Sequence, residues 1–474
     1  MTLGLGLGSD SGDGGEELPG GGGGELPRGW VRATLGELGV EVQPGFASGK
    51  HNRDGDGIVH LRPMNITRNG AIDLSDARYV NDDSDRRVEY GDVLFNNTNS
   101  PALVGKTAWV DSLEPVAYSN HMTRLRGPEG LDSKFLARQL HHFWSTSYFK
   151  MVLNNHVNQA SVSRKVLLDT EIVVPPLAEQ RRIVAEIEQQ LVHIEAGQEA
   201  LADATRRVSD LRSTIADAAI SQHSGSPWEK LRGLLREPLR NGMSAKATTD
   251  GSGIRTLTLT AVTQNDFSPQ FTKVTSADPK RVKNLWLEDQ DIFIQRSNSA
   301  ELVGTSAIYH GEKNWAIYPD LLIRVRVDQS RVLPEYAALA LRTNRILFYF
   351  RQNARGLSGS MPKIDQATIE NADFPVPSLP QQHEAIEWVR QQEAAIDPLA
   401  ASVSEAQAES AELRAALLHA AFTGALVPQD PTDEPASALL DRIRATRVTA
   451  KAAPRKRAPR KPRPAPPGQG ELPE

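Results

Sequence analysis

Asp92-Val-Leu-Phe-Asn-Asn-Thr-Asn99-Ser100-Pro-Ala-Leu103-Val104-Gly105 and Asp291-Ile-Phe-Ile-Gln-Arg-Ser-Asn298-Ser299-Ala-Glu-Leu302-Val303-Gly304 are one stretch of chain written twice, 199 residues apart. Each copy runs from an acid through an apolar triplet into polar residues and Asn-Ser, which reads as a strand entering a turn. The match extends outward in both directions. Trp30 lines up with Trp228, Asn65–Asn69 with Ala261–Asn265, Tyr118 and Arg124 with Tyr318 and Arg324, and Lys165 with Lys363. Pro175-Pro-Leu-Ala-Glu-Gln180 lines up with Pro377-Ser-Leu-Pro-Gln-Gln382, and Ala218-Ala219 with Ala420-Ala421. Two units of about 200 residues are a duplicated domain, since solenoid repeats run about 20–50 residues.

The first part of each unit alternates short β-rich runs such as Ile58-Val-His-Leu and Thr256-Leu-Thr-Leu-Thr with Asn-Gly and Asp-Gly breakers. One helical patch follows in each, Lys134–Leu153 and Pro334–Phe350, so each head is expected to be mixed α and β. After Pro176 apolar residues recur at Ile187, Leu191, Ile194, Leu201, Val208, Leu211, Ile215 and Ala218, with Gln198 and Thr205 in the same rhythm. After Pro380 the rhythm is weaker: Ile386, Val389, Ile396, Ala400, Val403, Gln407, Leu417 and Ala420, with Glu393 and Ser410 in seam positions and Pro398 expected to kink or interrupt it. Neither stripe is satisfied alone, so the two helices are expected to pair antiparallel, each about 60 Å long at roughly 40 residues.

The expected fold class is therefore α+β: two tandem repeated α/β domains, separated and joined by two long antiparallel coiled-coil helices with pseudo-two-fold symmetry. The expected boundaries are an acidic Gly-rich tail 1–25, head 26–177, helix 178–224, head 225–379, helix 380–424, extension 425–446 and basic tail 447–474. The first 25 residues hold five acids and no base, and residues 451–463 hold seven Lys/Arg and no acid; both read as disordered. The basic stretch suits either non-specific nucleic-acid contact or simple solubilisation.

The 474 residues are 39% hydrophobic and 24% charged, with no cysteine, which excludes disulfides, thiolate zinc sites and cysteine nucleophiles. With no apolar run of about 18 residues and no signal-like start, the expectation is a cytoplasmic protein without membrane contact. Catalytic motifs fail one by one. Gly45-Phe-Ala-Ser-Gly49-Lys50-His51 is one residue short of a phosphate loop, and Val104-Gly105-Lys106-Thr107 lacks the upstream glycine. Asn52-Arg-Asp54-Gly-Asp56-Gly57 resembles a calcium loop whose twelfth position is Pro63 instead of Glu, and His141-His142 are adjacent rather than four apart. No catalytic, metal or cofactor residue is expected in this chain. Two similar heads on a helical rod suit two separated patches on a long ligand, for which DNA is the obvious choice; 60 Å spans roughly 17–18 base pairs.

Leu26-Pro-Arg-Gly-Trp30, Leu61-Arg-Pro-Met-Asn65-Ile66, Gly91-Asp92-Val-Leu-Phe, Asn99-Ser100, Leu103-Val104-Gly105-Lys106, Val174-Pro175-Pro176-Leu177-Ala178-Glu179-Gln180 and Ala420-Ala421-Phe422-Thr-Gly424-Ala-Leu426-Val-Pro428 resemble the DNA-specificity subunit of type I restriction-modification systems. The likeness covers about residues 26–445. It implies two target recognition domains, each reading half of a split, asymmetric site in double-stranded DNA. It also implies two adenine methyltransferase subunits that bring S-adenosylmethionine, and motor-nuclease restriction subunits as further partners. The second junction departs from the family pattern, lacking the second Pro and the Glu.

Polar and basic loops that differ between the repeats are the candidate DNA contacts: Lys50, Arg53, Asn96, Asn97, Arg164 and Lys165 in the first head, and Arg240, Lys246, Arg296, Arg351, Arg355 and Lys363 in the second. Arg296 stands where the first repeat has Asn97, and Arg suits the guanine edge as Asn suits adenine. Lys165 and Lys363 read as a shared phosphate contact, whereas the repeated Asn99 and Asn298 read as turn formers. The competing reading is a coiled-coil scaffold that bridges two protein partners without DNA.

Overall fold

The computed structural model describes residues 25–452, apart from 83, 112–113, 157–158, 224, 249–250 and 357–360. The acidic start and the basic stretch beyond 452 therefore lie outside the described residues. The chain folds as two compact units, one made of the chain up to Ala196 together with the chain from Ser410, the other of Gly197–Glu409. Each unit is thus a head plus half of each long helix, so the long helices are shared between the units.

In the first unit a four-stranded antiparallel sheet runs in the order Glu41–Pro44, Met122–Arg126, Val93–Asn96, Thr107–Trp109. In the second unit the order is Arg240–Asn241, Leu322–Val325, Ile292–Gln295, Ser306–Ile308, the same topology from the same repeated stretch. Val93–Asn96 and Ile292–Gln295 are buried at every position, which is why the triplet is continuously apolar rather than alternating. The acid before it has an internal task. Asp92 accepts from the Glu89 N–H at 2.8 Å and pairs with Arg126, and Asp291 repeats this with the Glu288 N–H at 2.8 Å and Arg326. Gly105 and Gly304 have φ of +96° and +84°, and a Cβ there would stand 2.4 Å from the Phe149 ring and 2.9 Å from Phe350. The repeated Leu-Val-Gly thus lets an aromatic ring close over the turn.

Each helical patch is broken in two. Ser133–Ser145 is followed by Tyr148–Val152 after a left-handed Ser147 at φ 67°, and Pro334–Leu341 by Asn344–Gln352. The turn brings Phe149 and Phe350, both buried, back onto the sheet.

The long helices span Leu177–Ser221 and Leu379–Thr423, 45 residues each. Pro398 does not interrupt the second. It lies on the exposed face, where the carbonyl it leaves unpaired four residues back is open to water, while Ile396 and Val403 stay buried. Pairing is antiparallel within both units. In the first, Ile187, Leu191 and Ile194 pack with Leu417, Leu418 and Ala421, and Glu195 meets Arg414 at 3.3 Å. In the second, Ala216, Ala219 and Ile220 pack with Ala385, Ile386 and Val389, and Arg212 meets Asp397 at 2.8 Å. The polar seam residues answer each other: Gln407 donates to Thr205 Oγ1 at 3.1 Å.

The repeated junction glutamine fastens each helix to its head. Gln180 accepts from the Asp132 N–H at 2.7 Å and donates to Pro175 O at 2.9 Å; Gln382 accepts from Leu333 N–H at 2.8 Å and donates to Pro377 O at 2.9 Å. The last helix, Ala436–Ala452, buries Leu439, Leu440 and Ile443 in the core of the first unit. Residues 447–452, expected in the basic tail, continue this helix because Pro454 is the first residue that prevents it.

His141 is neutral in this fold. Its Nε2–H donates to Arg68 O at 3.0 Å, Nδ1 accepts from the Thr107 N–H at 3.4 Å, and burial pushes its pKa down to about 4. Burial lowers His142 to about 4 as well. With the folded pKa below the unfolded one, the unfolded state binds more protons below about pH 6.5, so stability falls progressively from there toward pH 4. For His141 the loss is on the order of 3 kcal/mol. The second unit has no buried histidine among its described residues. Thermal unfolding followed against pH is therefore expected to show the first unit melting first in acid, and His141→Gln to flatten that dependence; a profile flat between pH 6.5 and 4 contradicts this.

Candidate nucleic-acid interface

The turn after each repeated strand gathers other segments around it by backbone hydrogen bonds. In the first unit the Asn97 N–H donates to His121 O at 3.0 Å, and Val162 N–H donates to Asn97 O at 2.9 Å. The hairpin Asn154–His156 with Gln159–Ser161 extends this edge by pairing with Thr98–Asn99. In the second unit Arg296 N–H donates to Leu321 O at 2.8 Å and Ile364 N–H to Arg296 O at 2.9 Å, while Lys363 bridges both Ser297 and Arg355. Residues 157–158 and 357–360 lie outside the described residues.

A third segment reaches the same place through a repeated glycine. A Cβ on Gly45 would lie 2.1 Å from Tyr118 O and 2.4 Å from Ser119 O; on Gly242 it would lie 2.1 Å from Tyr318 O and 2.3 Å from Pro319 O. That close approach lets Phe46 N–H reach Tyr118 O and Met243 N–H reach Tyr318 O. Lys50 and Lys246 follow within a few residues. In each head, then, three sequence-distant candidate segments converge on one turn, which the sequence spacing alone does not reveal.

The individual candidates separate into groups. Asn96 is fully buried and donates to Leu103 O at 2.8 Å, so it holds the turn, as Gln295 does in the second head by accepting from Asn298 Nδ2 at 2.5 Å. Asn97 is half-buried and donates to Thr123 Oγ1 at 2.7 Å. Arg53 pairs with Asp76 at 3.3 Å, Lys165 with Asp169 at 2.5 Å, and Arg351 donates to Glu301 O at 2.6 Å. Lys50, Arg164, Lys246 and Lys363 are exposed, with no side-chain hydrogen bond or ion pair among the described residues; Arg355 is exposed and faces Asp365. Arg240 is half-buried on the edge strand of the sheet, with a buried Nε that meets no partner.

Arg296 has the most pointed setting. It lines a depression with Asn241, Asp365, Gln366, Ala367 and Glu370, and its buried Nε has no hydrogen-bond partner. Gln366 donates to Asn241 Oδ1 at 2.9 Å beside it. Asn241 lies in the candidate loop that begins at Arg240, whereas Gln366 stands just beyond the last candidate, Lys363, and carries no signal in the sequence that marks it.

One correspondence is corrected. Val162 and Ile364 make the same bond, and Ser163 and Asp365 cap the same short helix, so Lys165 matches Ala367 and Lys363 matches Ser161. The two lysines are not equivalent. The hairpins differ in length, and the repeat offset shifts from 199 to 202 residues across them.

Among the described residues no His/Asp/Glu group could hold a metal ion, and no helix is long and apolar enough to cross a membrane.

Residues 27–200 match the family model described as type I restriction modification DNA specificity domain. The chain is 23% identical over 457 residues to the type I restriction enzyme StySPI specificity subunit of Salmonella potsdam, covering 90% of this chain and 97% of that protein. It is 25% identical over 464 residues to the EcoKI specificity subunit of Escherichia coli strain K12, again covering 90% and 97%. Among solved structures, the HsdS subunit from Thermoanaerobacter tengcongensis is similar at 20% identity and a TM-score of 0.35, over 86% of this chain and all of that one.

Proposed function

The chain belongs to the type I restriction-modification DNA-specificity family, and from that premise we propose that each of its two units reads one half of a bipartite, asymmetric DNA sequence. The long helices dock two adenine methyltransferase subunits, which supply S-adenosylmethionine and the methyl transfer; motor-nuclease restriction subunits join the same assembly to cleave unmodified DNA. This chain contributes sequence choice. The observation that carries the reading is the convergence of three polar loop segments on the same turn in both heads, with Asn97 in one and Arg296 in the other. A scaffold for two proteins gives no reason for a repeated frame to change its polar side chains at its open edge.

Within that frame Arg296 is the base reader of the second head. Its guanidinium matches the two acceptors of a guanine edge, a contact worth about 1–3 kcal/mol of discrimination. Arg296→Ala is expected to relax one half-site at a single position, about 5- to 150-fold, and to leave the other half-site unchanged. Binding to a panel of single-base variants of the target, measured with the assembled methyltransferase, checks this; a uniform loss over the panel rules out base reading by Arg296.

A further inference from the structure

The outer lobes of the two heads have the same frame and different charge, one balanced and the other basic. Residues 50–88 carry seven Lys/Arg and seven acids, and the matching residues 246–283 carry six Lys/Arg and three acids. In the first lobe four of the six arginines pair with acids, while Lys50 and Arg68 stay exposed without an ion pair among the described residues. Arg53, Arg62 and Arg78 converge on Asp76 at 3.3, 3.2 and 2.8 Å, and Arg87 pairs with Asp82 at 2.7 Å. In the second lobe Lys246, Lys273, Lys280, Arg281 and Lys283 are all exposed, and none forms an ion pair with an acid among the described residues. The lobe's two described acids are engaged in turns. Asp278 accepts from the Lys280 N–H at 2.9 Å, and Asp266 accepts from Ser268 N–H at 2.8 Å and Gln270 at 3.1 Å.

These cations share one surface. Ala247 bridges Thr275, and the Ser276 N–H donates to Lys246 O at 2.9 Å, so Lys246 runs along the free edge of the strand Thr272–Thr275 that carries Lys273. The chain then leads directly into Lys280, Arg281 and Lys283. The same edge begins at Gly242 and Met243, which pack against the segment Tyr318–Leu322 that also accepts from the Arg296 N–H through Leu321 O.

We propose that Lys246, Lys273, Lys280, Arg281 and Lys283 of the second head form a phosphate-contacting track denser in unpaired cations than anything in the matching lobe of the first head, so that the second head carries most of the sequence-independent, salt-sensitive grip on duplex DNA. The proposal rests on the reading of the chain as a DNA-specificity subunit. Closely spaced phosphates attract unpaired cations, and each phosphate neutralised adds about 0.9 to the slope of log K against log salt. Arginines already committed to Asp76 and Asp82 release no counterion of the same kind.

The test is a salt titration of full-length chain on a random-sequence duplex, where binding is electrostatic and needs no knowledge of the target. Lys273→Gln/Lys280→Gln/Arg281→Gln/Lys283→Gln is expected to lower the slope by about 3–4 units, and Arg62→Gln/Arg78→Gln/Arg87→Gln by less than about one. The basic stretch 451–463 is present in all three proteins and cancels. Thermal unfolding confirms that each variant folds; the four substituted side chains are exposed, so its midpoint is expected unchanged. An unchanged slope in the fourfold variant overturns the track, and an equal fall in the threefold variant overturns its confinement to the second head. A wild-type chain whose binding does not depend on salt overturns the DNA reading itself.

Discussion

Alanine at Asp291 is expected to destabilise the second unit by about 3–5 kcal/mol, because it leaves buried cations without their counter-charge. The Asp291 carboxylate is 1% exposed, and the guanidinium groups around it, Arg326 and Arg324, are 10% and 3% exposed. Arg326 also touches Glu237 and Glu288, at 3.4 and 3.2 Å, yet both are one-third exposed and neither replaces the buried acceptor. The same carboxylate accepts from the Glu288 N–H, so the turn entering the central strand loses its cap as well. Asp92→Ala in the first unit is expected to cost less, since Arg126 is 37% exposed and regains water. Denaturant unfolding of both variants checks the order; equal effects contradict it.

Gly242→Ala is expected to have the second large effect, on reading as well as stability. The added methyl meets two backbone carbonyls, which have no flexible end to swing away, so the segment itself must move. Overpacking of this kind costs about 1–3 kcal/mol. It also breaks the Met243 N–H bond to Tyr318 O and shifts Lys246 away from the turn of Arg296. Recognition of that half-site is expected to fall at least tenfold, with the other intact. Gly45→Ala is expected to do the same to the opposite half-site. Affinities for targets altered in one half at a time measure this, and a variant that weakens both halves equally contradicts it.

The repeat and the helical seams were legible in sequence because they follow local rules: an apolar triplet, a glycine, a heptad rhythm. Gln180 and Gln382 stood out as a motif, but their task, joining the helix start to the head's own helix, needed three dimensions. Asn96 looked like a loop residue by composition and proved buried, since a polar side chain that satisfies a turn carbonyl has the same sequence signature as one that faces a ligand. The match of Lys165 with Lys363 failed because alignment across hairpins of unequal length cannot locate the extra residues. Pro398 misled for a different reason: the cost of a helical proline depends on whether the orphaned carbonyl faces water, which the seam pattern does not state. The antiparallel pairing of the two long helices followed from their stripes, but the division of each helix between the two units did not, because periodicity does not state which head each half packs with.

The central claim is that two heads of one chain read two different DNA half-sites. Co-expression of the chain with a type I adenine methyltransferase subunit that assembles with it, followed by genome-wide mapping of modified adenines, tests it most directly. The account predicts one split, asymmetric motif with a fixed gap, whose one half changes in Arg296→Ala while the other is retained. An assembled complex that modifies a single continuous motif, or none, contradicts it.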